Sequence, residues 1–139
     1  MTPTVLHASC VACAGRGVLI LGKSGAGKSS LALQLIAFGA DLVADDRTEI
    51  WTDGTTLHAR APVPIRGLIE ARGVGILRLP HISSAEITLV IDLDQTETER
   101  LPPRRRVTLL GRERDLVLGS AHTHFPASIL CYLHGSRYA

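Results

Sequence analysis

Apolar residues along this chain fall into short runs separated by glycines, prolines and charged turns. The run Val18-Leu19-Ile20-Leu21 has the length and branching of a buried strand. Residues 22–27 break that pattern. From 28 to 38 the sequence KSSLALQLIAF sets Leu31, Leu35 and Phe38 near helical spacing, and Gly39 supplies a stop. Leu42-Val43-Ala44 predicts a second short strand that ends at Asp45-Asp46. Residues 48–51 and 56–58 predict a hairpin around Asp53-Gly54, and Pro62 and Pro64 an extended connection after it. A glycine-rich stretch, 67–75, leads into a strand at 75–79, and the clearest strand pattern of all is 87–93. Residues 94–106 are polar, contain Pro102-Pro103 and read as a surface loop. Short strands are expected at 107–110 and 116–118, then a helix at 125–133 with Thr123 as its cap and Pro126 in its first turn. The fold class is therefore α/β: a mixed sheet with flanking helices and no internal repeat.

Composition narrows the function. A chain of 139 residues with 45% hydrophobic content suits one domain and no long tail. Its apolar segments are far shorter than the roughly 20 residues needed to cross a bilayer, and MTPTVLHASC lacks the basic and apolar regions of a signal peptide. The expectation is a cytoplasmic protein with no membrane partner. A net charge of +2 is too mild to call for nucleic acid. Three cysteines argue against a disulfide framework, and 4% aromatic content leaves the core to Leu, Ile, Val and Ala.

Gly22-Lys23-Ser24-Gly25-Ala26-Gly27-Lys28-Ser29 fits G-x-x-x-x-G-K-[ST] at every fixed position, between a predicted strand and a predicted helix. Glycines let the backbone turn so that several N–H groups face one anion, and the helix start adds partial positive charge. With Ser30 following, residues 22–30 are the expected nucleotide-binding segment. Lys28 should reach the β- and γ-phosphates of ATP, and the Ser29 hydroxyl should ligate Mg²⁺.

The fate of the γ-phosphoryl group rests on other residues. Asp45 could hold Mg²⁺ or its water while Asp46 faces an acceptor, or the pair could be a solvated acidic turn. Glu70 is either a metal ligand or a surface partner of Arg66 or Arg72, and Arg72 either a phosphate contact or that partner. His7 by itself reads as an ordinary histidine near a strand end. Cys10 and Cys13 have C-x-x-C spacing but no second matching pair. Arg104-Arg105-Arg106 reads as a solvated loop, and His122-Thr123-His124 as the polar start of a helix.

Three motifs carry a resemblance. Leu42-Val43-Ala44-Asp45-Asp46 directly after the phosphate-loop helix, Ile69-Glu70-Ala71-Arg72-Gly73-Val74-Gly75-Ile76-Leu77, and His7 upstream of Gly22 resemble, in the same order, elements of the bacterial HPr kinase/phosphorylase family. The resemblance runs from His7 to Leu79 and more thinly through Arg112. It implies the catalytic core that HPr kinases share with PEP carboxykinases, in a short, single-domain version without the N-terminal regulatory domain. Among residues, it implies Lys28 as the phosphate-binding lysine, Ser29 and Glu70 as Mg²⁺ ligands, Asp46 as the group that takes the proton of the acceptor serine, and His7 as an auxiliary active-site histidine. Arg100 matches the family's late arginine loosely. Leu110 stands where the family's loop for the dephosphorylating reaction usually has a proline, which puts phosphorylase activity in question.

The activity so implied is Mg-ATP-dependent phosphorylation of a serine on an HPr-type phosphocarrier of the phosphotransferase system. The implied assembly is a homo-oligomer, a hexamer by resemblance, with a trimer or dimer as alternatives. A small-molecule kinase on the same core, with a closed pocket, and a nucleotide-dependent switch or assembly protein are the competing functions.

Overall fold

The computed structural model describes residues 2–139. Eleven strands and two α-helices follow one another along the chain: β1 (Thr4–Leu6), β2 (Ala8–Cys13), β3 (Arg16–Leu21), α1 (Lys28–Ala37), β4 (Asp41–Ala44), β5 (Thr48–Asp53), β6 (Thr56–Arg60), β7 (Leu68–Ala71), β8 (Gly75–Arg78), β9 (Ala85–Thr96), β10 (Arg105–Leu109), β11 (Arg112–Gly119) and α2 (Phe125–His134). Nine strands form one mixed sheet in the order β1-β5-β6-β9-β3-β2-β4, with β11 also on β9 and β10 on β11. Strand β9 carries two neighbours along one side, β6 beside its first residues and β11 beside the rest. β7 and β8 make a separate two-stranded sheet.

The apolar run of β3 is buried on both faces, as a continuous run requires. Val18 and Ile20 pack with Leu31 and Leu35 of α1 and Ile129 and Leu133 of α2. Leu19 points the other way, toward Cys10, Val43, Ile50 and Leu57, where the β1-β5-β6 strands close over the sheet. Helix α1 ends as its sequence predicts. Gly39 N–H donates to Ile36 O and Ala40 N–H to Leu35 O, the paired bonds of a Schellman motif.

The structure alters several expected elements. β1 and β2 precede the first predicted strand, and β2 is composed of the small residues Ala, Ser and Cys around a single Val11, whose weak apolar signal hides a buried strand. The extended connection after Pro62 is interrupted by a 3₁₀ turn at Val63–Ile65. The glycine-rich stretch 67–75 contains β7. The predicted loop 94–106 shrinks to 97–104, because β9 continues to Thr96 and β10 begins at Arg105; Glu97 and Arg105 tie this loop together with two hydrogen bonds. Thr123 is not the cap of α2: His124 occupies that position and no side chain bonds the helix start, although Pro126 does lie in the first turn. Cys10 and Cys13 are three residues apart on one strand and so point to opposite faces, which rules out chelation of one ion by the two thiols.

Candidate active site

Strands β3, β9 and β11 run parallel, so their carboxyl ends share one edge of the sheet. The 22–27 loop leaves β3 at this edge. β2 is antiparallel to β3, with Ala8 opposite Leu21, which brings the β1–β2 turn and His7 to the same edge. β4 is antiparallel to β2, with Ala44 opposite Cys10, which places Asp45 and Asp46 there as well. Three stretches far apart in sequence thus meet through strand direction alone.

The loop has the backbone its sequence requires. Gly27, at the N-cap of α1, has φ of 101°, a left-handed conformation that few other residues adopt. A Cβ at Gly22 would lie 2.9 Å from the Ala26 Cβ, so the loop can close only over a glycine. Lys28 is 5% exposed, and its Nζ donates to Gly22 O at 2.7 Å and Lys23 O at 3.1 Å, holding the ammonium inside the curl of the loop. Asp94 Oδ1, at the end of β9, accepts from the Lys23 N–H at 3.0 Å and fixes the loop from outside.

Asp45 is the junction of the site. Its Oδ1 accepts from Ser9 Oγ at 2.8 Å and from Ser29 Oγ at 2.7 Å, and its Oδ2 from the Glu70 N–H at 3.1 Å. One buried carboxylate therefore joins β2, α1 and β7. Asp46 follows with φ of 68°, and the Arg47 N–H donates to Asp45 O at 2.7 Å across it, a tight γ-turn with a positive-φ centre. Such backbone persists only where neighbours hold it. Here Ala8 N–H donates to Asp46 O at 3.1 Å, and Asp46 N–H donates to Ser9 Oγ at 3.2 Å. The turn directs the Asp46 carboxylate outward, where its Oδ1 is 2.7 Å from His7 Nε2.

A cleft of about 200 Å³ collects Ser24, Gly25, Gly27, Lys28, Ser29, Ser30, Asp46, Glu70 and Arg72. A second opening, about 450 Å³, adjoins it through Ser24 and Asp46 and adds Val5, His7 and Arg47. The structure thus brings together almost every site residue expected from sequence. Arg100 is the exception. It is exposed in the 97–104 loop at the same edge, but it does not line the cleft. Among the described residues no cation ion-pairs with Glu70, so the surface partnership with Arg66 or Arg72 is not formed. Leu110 lies at the β10–β11 turn, on the opposite edge of the sheet.

Two contributors escaped the sequence reading. Ser9 binds both aspartates, and its only signal is a hydroxyl within a run of small residues. Asp94 lies near the end of β9, and the carboxyl end of a parallel strand beside the loop strand is where such folds gather site residues.

A mixed α/β sheet whose carboxyl edge presents a glycine loop, a buried lysine and converging carboxylates defines the class of molecule. The chain belongs to the HPr serine kinase C-terminal domain family, whose model matches residues 1–115. It is 40% identical over 122 residues to the HPr kinase/phosphorylase of Geobacillus kaustophilus, covering 82% of this chain and 38% of that protein. With the enzyme of the same name from Caldicellulosiruptor bescii it is 46% identical over 96 residues, covering 63% and 31%. The chain therefore spans less than two-fifths of the length of these relatives. The solved structure of the Hpr(Ser) kinase/phosphatase from Coxiella burnetii superposes with a TM-score of 0.79 at 26% identity and covers 94% of each chain. The mixed α/β fold expected from sequence is thus shared with that protein. No helix among the described residues is long and apolar enough to cross a membrane.

Proposed function

We propose that this chain is the catalytic core of a protein-serine kinase that transfers the γ-phosphoryl group of ATP to a serine of an HPr-type phosphocarrier. The observation that carries the reading is the His7–Asp46 pair at the mouth of the cleft that holds Lys28 and Ser29. Transfer to a hydroxyl needs an anion cradle, neutralisation of γ-phosphate charge and a group that deprotonates the acceptor. The N–H groups of residues 22–30 supply the first. Lys28, buried beside them, supplies the second. Asp46 supplies the third by accepting the serine proton on its carboxylate, while His7 fixes the orientation of that carboxylate.

The donor set suits Mg²⁺, which favours a few hard oxygen ligands. Ser29 and Glu70 would hold it, and Asp45, whose Oδ1 already accepts two hydroxyls, would act mainly by orienting Ser29. A cation held there would supply charge neutralisation to the transferring phosphate.

The acceptor side is open. The side chains of His7 and Asp46 are 52% and 62% exposed, and Ile76, beside the same aspartates, is 73% exposed. An open rim with exposed apolar groups suits a macromolecular acceptor and disfavours the closed pocket of a small-molecule kinase. The experiment is incubation with Mg-ATP and an HPr-type phosphocarrier, with phosphoserine located by mass spectrometry. Asp46→Ala is expected to lower transfer about 10²- to 10⁴-fold while nucleotide still binds. Near wild-type transfer by this variant would refute the role of Asp46, and loss of nucleotide binding would make it a ligand-holding residue instead.

A further inference from the structure

The second cysteine of the C-x-x-C stretch has a partner that phosphoryl transfer does not use. Cys13 closes β2 at the edge of the sheet opposite the cleft, five residues along the strand from Ala8 and so roughly 17 Å from the catalytic edge. There its Sγ lies 3.2 Å from Nε2 of His134, which stands in the last turn of α2, 121 residues further along the chain. Arg16, the cross-strand partner of Cys13, holds the two elements together. Its Nη1 donates to Leu133 O at 2.8 Å and to Gly135 O at 3.3 Å, the carbonyls on either side of His134. The other thiols are placed differently: Cys10 is fully buried among apolar neighbours, and Cys131 is exposed on α2.

We infer that Cys13 and His134 form a nucleophile–base pair, a modification site at which a hydroperoxide oxidises the Cys13 thiol to a sulfenic acid. A thiol within hydrogen-bond reach of an imidazole can pass its proton to the ring, and the thiolate is the form that attacks. In the tautomer that carries its hydrogen on Nδ1, His134 Nε2 accepts the Cys13 proton. The sulfur then attacks one oxygen of the peroxide, an S–O bond forms and the O–O bond breaks. The departing oxygen takes the proton from Nε2 and leaves as water, or as an alcohol from an organic hydroperoxide. Sulfur loses two electrons, the peroxide gains them, and His134 ends as it began. The surroundings suit this chemistry. Cys13 is half-buried while His134 and Arg16 are exposed, so a small oxidant has access to a thiol flanked by an imidazole and a guanidinium, the partly open, electropositive setting of reactive cysteines.

The test reads each cysteine separately. The protein is treated at neutral pH with hydrogen peroxide in the presence of dimedone, which traps sulfenic acids, and labelled peptides are quantified by mass spectrometry over time. Cys13 is expected to be labelled at least tenfold faster than Cys131 despite its lower exposure, with Cys10 unlabelled in the folded protein. His134→Ala and His134→Gln should each slow labelling of Cys13 at least tenfold, with Cys131 unchanged within twofold. Glutamine keeps a hydrogen-bonding side chain at this exposed position but cannot take up the proton, so its loss of rate separates proton transfer from mere support of the helix end. Melting temperatures of both variants should match the parent. Labelling of Cys13 no faster than that of Cys131, or undiminished by His134→Gln, would overturn the inference and leave the pair a structural hydrogen bond.

Discussion

Replacing Ser9 with alanine removes a hydroxyl that serves both aspartates of the site. Ser9 is fully buried and donates to Asp45 Oδ1 at 2.8 Å while accepting from the Asp46 N–H at 3.2 Å. A hydrogen bond to a charged group contributes about 1.5–3 kcal/mol, and leaving the Asp46 N–H without its acceptor adds up to about 1 kcal/mol. The methyl of alanine fits the space, so no overpacking offsets the loss. The expected destabilisation is about 1.5–4 kcal/mol, and at about 3 °C per kcal/mol for a chain of this length the melting temperature should fall by roughly 5–12 °C. Scanning calorimetry of Ser9→Ala, Asp45→Asn and the double variant measures this directly. Because the two side chains share a bond, the double variant should lose less than the sum of the singles, with a coupling of at least about 0.5 kcal/mol. A Ser9→Ala protein that melts within 2 °C of the parent, or strictly additive losses, would refute the claim that Ser9 supports the aspartates.

Three further outcomes are expected. The β10–β11 turn places Leu110 at φ of 49° ahead of Gly111, the geometry that favours Asn-Gly, so Leu110→Asn should stabilise the fold by about 0.5–1 kcal/mol in thermal melts without changing nucleotide affinity. Burial raises the Cys10 thiol to about 12 while Cys131 is exposed, so brief iodoacetamide treatment followed by peptide mass mapping should find Cys131 alkylated and Cys10 untouched until the protein unfolds. The hydrogen bond from Arg105 lowers the Glu97 carboxyl from its ordinary 4.5. The stabilisation from this depressed group is present above that value and is lost as pH falls through the lowered folded value. The melting-temperature gap between the parent and Glu97→Gln should therefore be open at neutral pH and close in strong acid.

The sequence was most informative where chemistry imposes spacing. Gly22, Gly27, Lys28 and Ser29 were legible because a backbone that wraps an anion needs those residue types in that order, and the strand and helix around them carry clean apolar patterns. His7 stood out only through its likeness to a family, whereas Asp46 and Glu70 each had a site reading and a surface reading side by side; strand direction supplies what spacing cannot, by bringing the ends of β2 and β4 to the edge where the loop leaves β3. β2 stayed hidden because alanine, serine and cysteine give little hydrophobic contrast, and Ser9 was hidden with it. Arg100 was only a loose match in sequence, and the loop that carries it runs outside the cleft.

The β7–β8 hairpin belongs to neither edge of the main sheet, yet it carries Glu70, and the Glu70 N–H is bonded to Asp45. On the proposed reading, this couples two equilibria. A divalent cation drawn to Glu70 must hold the hairpin in place, and an acceptor protein that settles against the exposed Ile76 would hold the same hairpin from outside. With Ile69 buried in the core the hairpin carries both contacts on one body, so metal and acceptor would be coupled through its position without touching each other.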